Sequence, residues 1–147
     1  MLLRQDRALL ALDIALDIAF HAAGRGEVSG AADIATRMGL ARRGIEPLLQ
    51  ALVRAGLLHS LRGPRGGYRL ARAPREVTAA EVVEAACEED PPTPPGRLAA
   101  AVTAPLWQEL DAAAMATLRA TTLEALLRRA QAAGLRRPTP EALDFVI

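Results

Sequence analysis

Four apolar residues at helical spacing, Ile45, Leu48, Leu49 and Leu52, mark the clearest helix of this chain. An i, i+3, i+4, i+7 stripe is one face of a 3.6-residue turn, so that side is expected to be buried. The opposite face offers Arg42, Arg43, Glu46, Gln50 and Arg54, side chains that can reach phosphates and base edges. Pro47 falls inside the apolar stripe and has no N–H to donate. It is tolerated if the regular helix begins at about Arg43 or Gly44, because Pro47 then lies among donors that lack partners anyway. Such a helix is short, and Arg42 and Arg43 stand at its phosphate-favouring end. Upstream, Ile34 and Met38 share a face, and Ala35 is small enough for a second helix to approach. Ser29 is the expected N-cap of this first helix and Gly39 its left-handed stop. The second helix ends at Ala55-Gly56. Residues 28–56 therefore read as helix, tight turn, helix.

Beyond residue 56 the period shortens. Two strand-like runs between residues 57 and 71 flank the tip Arg62-Gly63-Pro64-Arg65-Gly66-Gly67. A glycine-containing tip between such runs reads as a hairpin. Gly66 and Gly67 are expected to take the positive φ of a tight turn, while Pro64 fixes φ near −65°. Arg62, Arg65 and Arg69 decorate a loop that holds no acid. A narrow cationic finger suits insertion along a DNA backbone or into a minor groove. Two helices, a polar-faced second helix and a basic hairpin together predict a winged helix-turn-helix.

The remaining chain reads as helical scaffolding. An N-terminal helix carries one stripe of Leu9, Leu12, Leu16, Phe20 and Ala23 and another of Leu10, Ile14 and Ile18. A helix apolar on most sides is buried on most sides, which in a small protein implies a partner chain as well as a core. Thr78 and Glu81 form a capping box that starts a helix running to about Glu88. Glu89 to Gly96 is acidic and proline-rich, the composition of a loop. A long helix is expected from about Ala104-Pro105. On it Leu106, Leu110, Ala113 and Thr117 form one stripe, and Trp107, Ala114 and Leu118 a second. One stripe suits a core and the other a dimer seam, with Leu12 and Leu16 of the first helix contributing. Thr121 and Glu124 suggest another capping box, opening a last helix that buries Leu123, Leu126, Leu127 and Ala130. Pro140 and the apolar tail of Leu143, Phe145, Val146 and Ile147 suggest a final docked turn. The expected division is a DNA-binding domain over 1–88, a loop over 89–97 and a helical dimerisation arm over 98–147. The predicted class is mainly α with a small β-hairpin.

Charge sharpens this picture. The 147-residue chain has a formal net charge of +1, but its halves differ. Residues 1–75 hold 12 Arg and 6 acids, and residues 76–147 hold 6 Arg and 11 acids. From Arg37 to Arg75 there are nine Arg and one acid, Glu46. A basic footprint confined to the winged helix is what a phosphate-binding surface requires. Asp13 and Asp17 interrupt the apolar N-terminal run, which argues against a transmembrane span or a signal peptide. One cysteine, Cys87, permits no intrachain disulfide, in keeping with a reducing cytoplasm. Neither a nucleophile–base pairing, a metal-ligand cluster nor a phosphate-binding loop is present, so an enzyme is not expected.

The run from Val28 to Ala71 resembles the Rrf-two (BadM-type) family of bacterial transcription regulators. The likeness rests on Ile34-Ala35, Met38-Gly39-Leu40, Arg43, Ile45-Glu46, Ala55-Gly56-Leu57-Leu58 and the intact wing, Arg62 to Ala71. It continues more loosely through Val77-Thr78, Leu106-Trp107 and Thr121-Thr122-Leu123. The resemblance implies a homodimer that binds near-palindromic promoter DNA, usually as a repressor. Many such regulators sense iron, nitric oxide or redox state through an iron–sulfur cluster held by three cysteines after the fourth helix. This chain departs there. A cluster needs about four ligands, mostly thiolates. Cys87 is the sole cysteine, and Glu88 to Gly96 fills the place of its partners. No cofactor or metal is therefore expected. Cys87 reads either as a small buried apolar residue or as a single-thiol redox sensor.

The sequence thus predicts a homodimeric regulator that binds double-stranded DNA, is regulated by an effector it does not identify, and lacks a membrane segment. A winged-helix protein adapter is the alternative. Ser29, Arg42, Arg43, Glu46, Gln50, Arg62, Arg65 and Arg69 are the candidate DNA contacts. Arg42 and Arg43 are assigned to phosphate, Gln50 and Glu46 to base edges, Arg62 and Arg65 to the minor groove, and Arg69 to the backbone.

Overall fold

The computed structural model describes residues 5–24, 26–87 and 94–137. Its elements in chain order are α1 (Gln5–His21), α2 (Ala31–Met38), α3 (Arg42–Arg54), β1 (Leu58–Leu61), β2 (Gly67–Leu70), α4 (Ala79–Ala86), α5 (Ala104–Arg119) and α6 (Leu123–Ala132). The helix that the sequence extends to Glu88 ends at Ala86, and the expected turn at Pro140 and the docked tail lie outside the described residues.

One core joins five helices to the hairpin. Ile34 of α2, the Ile45, Leu48, Leu49 and Leu52 stripe of α3, Leu58 of β1, and Val82 and Val83 of α4 all meet there. On α1 the expected stripe with Ile14 and Ile18 enters the core, and the stripe led by Leu9, Leu12 and Leu16 does not. The buried face of this helix is Ala11, Ile14, Ala15, Ile18 and Ala19, whereas Leu9 is exposed and Leu12 and Leu16 are half-buried. Ile14 and Ile18 fill this face between small alanines, and the leucines lie on its flank.

Both stops in the helix-turn-helix behave as expected, with Gly39 at φ +66° and Gly56 at φ +72°. The N-cap does not. Gly30 caps α2 without a side-chain bond, and Ser29 is instead buried. Its backbone N–H donates to the Tyr68 carbonyl at 2.8 Å, and its carbonyl accepts from the Tyr68 N–H at 2.8 Å. Ser29 thus adds a single rung of a third strand to the wing. This explains the glycine pair differently from the sequence reading. The positive φ in the tip belongs to Gly63, at +112°, and neither Gly66 nor Gly67 needs one. A Cβ on Gly66 would sit 2.2 Å from the Leu61 carbonyl oxygen, and one on Gly67 2.7 Å from the Ser29 carbonyl oxygen. These glycines are required for close approach of backbone to backbone. Gly67→Ala should therefore cost roughly 1–3 kcal/mol in a denaturant melt, as expected for a clash against fixed backbone. Stability unchanged by this substitution would show that the strand pairing does not hold the wing.

The C-terminal helices also depart from expectation. Helical geometry already begins at residue 97, and a π-helical turn over Ala99–Thr103 leads into α5. Pro105 cannot donate to the carbonyl four residues back, and a wider turn accommodates that loss. The final cap is Thr122 rather than Thr121. Its hydroxyl accepts from the Ala125 N–H at 3.1 Å. Thr121 donates to the Thr117 carbonyl instead. Further, α6 does not extend an arm. The Leu123 N–H donates to the Val77 carbonyl, the Ala79 N–H to the Thr121 carbonyl, and Leu123 is fully buried in the core. Residues 123–132 therefore pack on the same core as α1–α4, and Met115 and Leu118 bring the end of α5 against it as well. The capping box of α4 is as predicted. Hydrogen bonding from the Thr78 backbone N–H holds the Glu81 carboxyl below the ordinary glutamate range.

Candidate nucleic-acid interface

The outward face of α3 and the tip of the wing stand side by side. On α3, Arg43, Pro47, Gln50 and Arg54 recur at helical spacing and are all exposed. Pro47 is not part of the apolar stripe. It lies on the presented face, where its ring meets no core neighbour. The helix starts at Arg42, capped by Ala41, so Pro47 lies beyond the four partnerless donors and inside a 13-residue helix of ordinary length. The cost is confined to the solvent side, where the Arg43 carbonyl loses its donor. Sequence reasoning missed this placement, although Pro47 is three residues from Gln50 and so shares its face.

Ala41 offers no side-chain cap, so the first N–H groups of α3 face outward beside Arg42 and Arg43. Gly44 is exposed with open space around its Cα, leaving bare backbone on the same surface. Arg42 and Glu46 are not independent, because Arg42 Nε lies 2.8 Å from Glu46 Oε1. Glu46 is half-buried and serves first as the partner of Arg42, which changes its expected role at a base edge.

Arg62 and Arg65 are exposed on the tip, as predicted, and no partner engages either among the described residues. A small groove of about 280 Å³ separates the wing from the start of α3, lined by Ala31, Arg42, Leu61, Arg62 and Tyr68 among others. Arg69 lies elsewhere. It is half-buried at the base of the wing, paired across the hairpin with His59, and faces a different cleft.

Arg37 and Arg72, both in the basic run, are held by acids from other elements. Arg37 donates to both carboxylate oxygens of Asp17, through Nε at 2.9 Å and Nη2 at 2.7 Å. Nη2 also donates to Ser29 Oγ at 2.6 Å. The Asp17 hydrogen bonds raise the Arg37 pKa above its ordinary value. One guanidinium thereby ties α1 to α2 and to the strand rung under the wing. Ser29 is accordingly buried within the domain rather than presented on its surface. Arg72 is similarly bound, to Glu81 and to the Glu76 carbonyl.

Cys87 is buried at the end of α4. Among the described residues no three of His, Cys, Asp and Glu are grouped to hold a metal. His21 is bonded to Asp17, and His59 lies in β1. With a single cysteine in the sequence, these residues do not fit an iron–sulfur cluster. No described helix is long and apolar enough to cross a membrane.

A compact helical domain, a polar-faced second helix and a two-stranded basic wing define a winged helix-turn-helix transcription regulator. The comparisons identify the family. Residues 5–129 match the Rrf2 family model, described as an iron-dependent transcriptional regulator. The Rrf2 protein of Nitratidesulfovibrio vulgaris is 34% identical over 123 residues, covering 78% of this chain and 80% of that one. IscR of T. potens superposes with a TM-score of 0.70 at 27% identity, over 88% of each chain. CymR, titled the global cysteine regulator of B. subtilis, gives a TM-score of 0.66 at 27% identity over 84% of this chain and 94% of its own. The chain belongs to the Rrf2 family of transcription regulators and is not an enzyme.

Proposed function

We propose that the chain is a homodimeric repressor that binds near-palindromic promoter DNA and works without an iron–sulfur cluster. The exposed row of Arg43, Pro47 and Gln50 beside Arg62 and Arg65, which have no partner among the described residues, carries this reading. In a twofold dimer, two α3 helices enter major grooves about one helical turn apart, with a wing reaching the flanking groove on each side. The N-terminus of α3 with Arg42 and Arg43 takes phosphate, and Gln50 reads a base edge. Pro47 adds an apolar contact suited to a thymine methyl. The dimer is built on the exposed side of α5, with Leu9, Leu12 and Leu16 of α1 as its flank. Cytoplasmic residence and repression by promoter occlusion follow from this role.

The single cysteine supports the cofactor-free reading. Protein purified without oxygen should be colourless and free of iron. A visible absorption band with stoichiometric iron and sulfide would overturn that. Affinity for a palindromic promoter duplex should fall by roughly 10³–10⁵ between about 50 and 200 mM salt, because phosphate contacts release counterions. Salt-independent or undetectable DNA binding would defeat the regulator reading.

A further inference from the structure

A second cleft lies away from the face formed by α3 and the wing tip. This open cleft of about 780 Å³ lies between the base of the wing, the end of α1 and α6. That volume is within the range of small-molecule sites. Its floor is apolar, with Leu70 of β2 and Leu127 of α6. An arginine stands on each of its two walls. His59 and Arg69 come from the wing, and Arg128 and Arg137 from α6 and the residues after it. Among its described lining the one acid is Glu124, which already accepts from Arg128 at 2.7 Å. Arg69 and Arg137 have no partner among the described residues. Cations on opposite walls with an apolar floor between them match an elongated anion with charge at both ends.

We propose that this cleft binds a small organic dianion, a dicarboxylate or a phosphorylated acid with an apolar middle, and that its occupancy sets the position of the wing. The binding stands on the cleft alone, while its effect on DNA rests on the reading above. The mechanical link is short. Arg69 and Leu70 belong to β2, whose other end carries the tip with Arg65. A ligand held between Arg69 and Arg137 draws the wing toward the end of α6 and moves the tip relative to α3. Coupling of this kind typically changes affinity 5–150-fold.

The test uses the full chain with adipate and 6-phosphonohexanoate as two-ended probes, and hexanoate and inorganic phosphate as one-ended controls. Calorimetric titration should show saturable binding of at least one two-ended probe at one site per chain. At a hundredfold excess over Kd, the melting temperature should rise by about 5–10 °C. The preferred head group distinguishes a dicarboxylate from a phosphorylated acid. The Arg128→Ala/Arg137→Ala variant should keep the unliganded melting temperature and DNA affinity but lose the probe. Equal stabilisation by inorganic phosphate, or probe binding unchanged in the variant, would overturn the site. A tenfold loss of unliganded DNA affinity in the variant would also overturn it, because the cleft would then be holding DNA backbone. Saturating probe should weaken promoter binding at least fivefold, and an unchanged affinity would defeat the coupling. If the wild type binds probe but no DNA, the regulator reading fails and the ligand site stands.

Discussion

Replacing Arg62 and Arg65 together by alanine should weaken promoter binding by about 10²–10³ at physiological salt. The estimate follows from counterion release. Each phosphate contact contributes about 0.9 to the slope of log K against log salt, so four lost contacts in a dimer flatten it by between about three and four units. Arg65→Ala alone should flatten it by roughly one unit per bound protomer. The two side chains are exposed and have no partner among the described residues, so the melting temperature should barely move, as for surface substitutions generally. That separates a lost contact from a lost fold. The companion change Gln50→Ala should act differently, costing about 1–3 kcal/mol at one base position and leaving other sequences nearly unaffected. Gel-shift or anisotropy titrations over a salt series decide both. If the double substitution leaves DNA affinity unchanged, the wing is not a DNA element, and the adapter reading takes over.

The parts of this site that were readable from sequence are those set by local chemistry. The α3 stripe declares its buried face by spacing alone. Gly39 and Gly56 mark helix ends because a left-handed residue is needed there, and the tip Arg62 to Gly67 declares a hairpin by composition. What sequence reading missed is set by distant neighbours. Ser29 looks like a cap because serine caps helices, but it pairs with Tyr68, 39 positions away. Gly67 looks like a turn residue, yet it is required because the Ser29 backbone passes across it. Arg37 adds to the basic run while its guanidinium is neutralised by Asp17 from α1.

Size and polarity misled in other places. Of the two apolar stripes on α1, the one with Ile14 and Ile18 faces the core, with Ala11, Ala15 and Ala19 beside it, and the leucine stripe lies on its flank. Pro47 was read with the apolar stripe on its hydrophobicity, but a proline is least costly where its missing donor faces solvent. Pro105 does mark the start of α5, and what it does not announce is the π-helical turn ahead of it. The return of α6 depends on the Thr78 and Thr122 pairing, which no local pattern announces.

Glutamate in place of Ala113 should convert the protein to monomers that no longer bind a palindrome. The argument begins with what covers α5. Met115 is its sole buried residue, with Leu118 packed beside the core. The outward side carries Leu98, Val102, Leu106 and Leu110, which are 77%, 57%, 53% and 43% exposed. Ala113 and Thr117 continue that row and are exposed, whereas Ala114 is half-buried beside Met115 and belongs to the inner side. Burying a leucine is worth about 1.5–3 kcal/mol, and a twofold interface counts each position twice. A carboxylate at Ala113 faces its symmetry mate or an apolar surface, and either arrangement opposes association. The expected result is a loss of dimer by at least 10³ in Kd, with the monomer fold intact. Ala114→Glu should instead lower the melting temperature, because it disturbs the packing of α5 on α4. Gln108→Glu, on nearly the opposite side of the helix from Leu106, adds the same charge and should leave the dimer unchanged. Analytical ultracentrifugation at micromolar concentration separates these outcomes, and a wild-type protein that sediments there as a stable monomer would end the dimer reading.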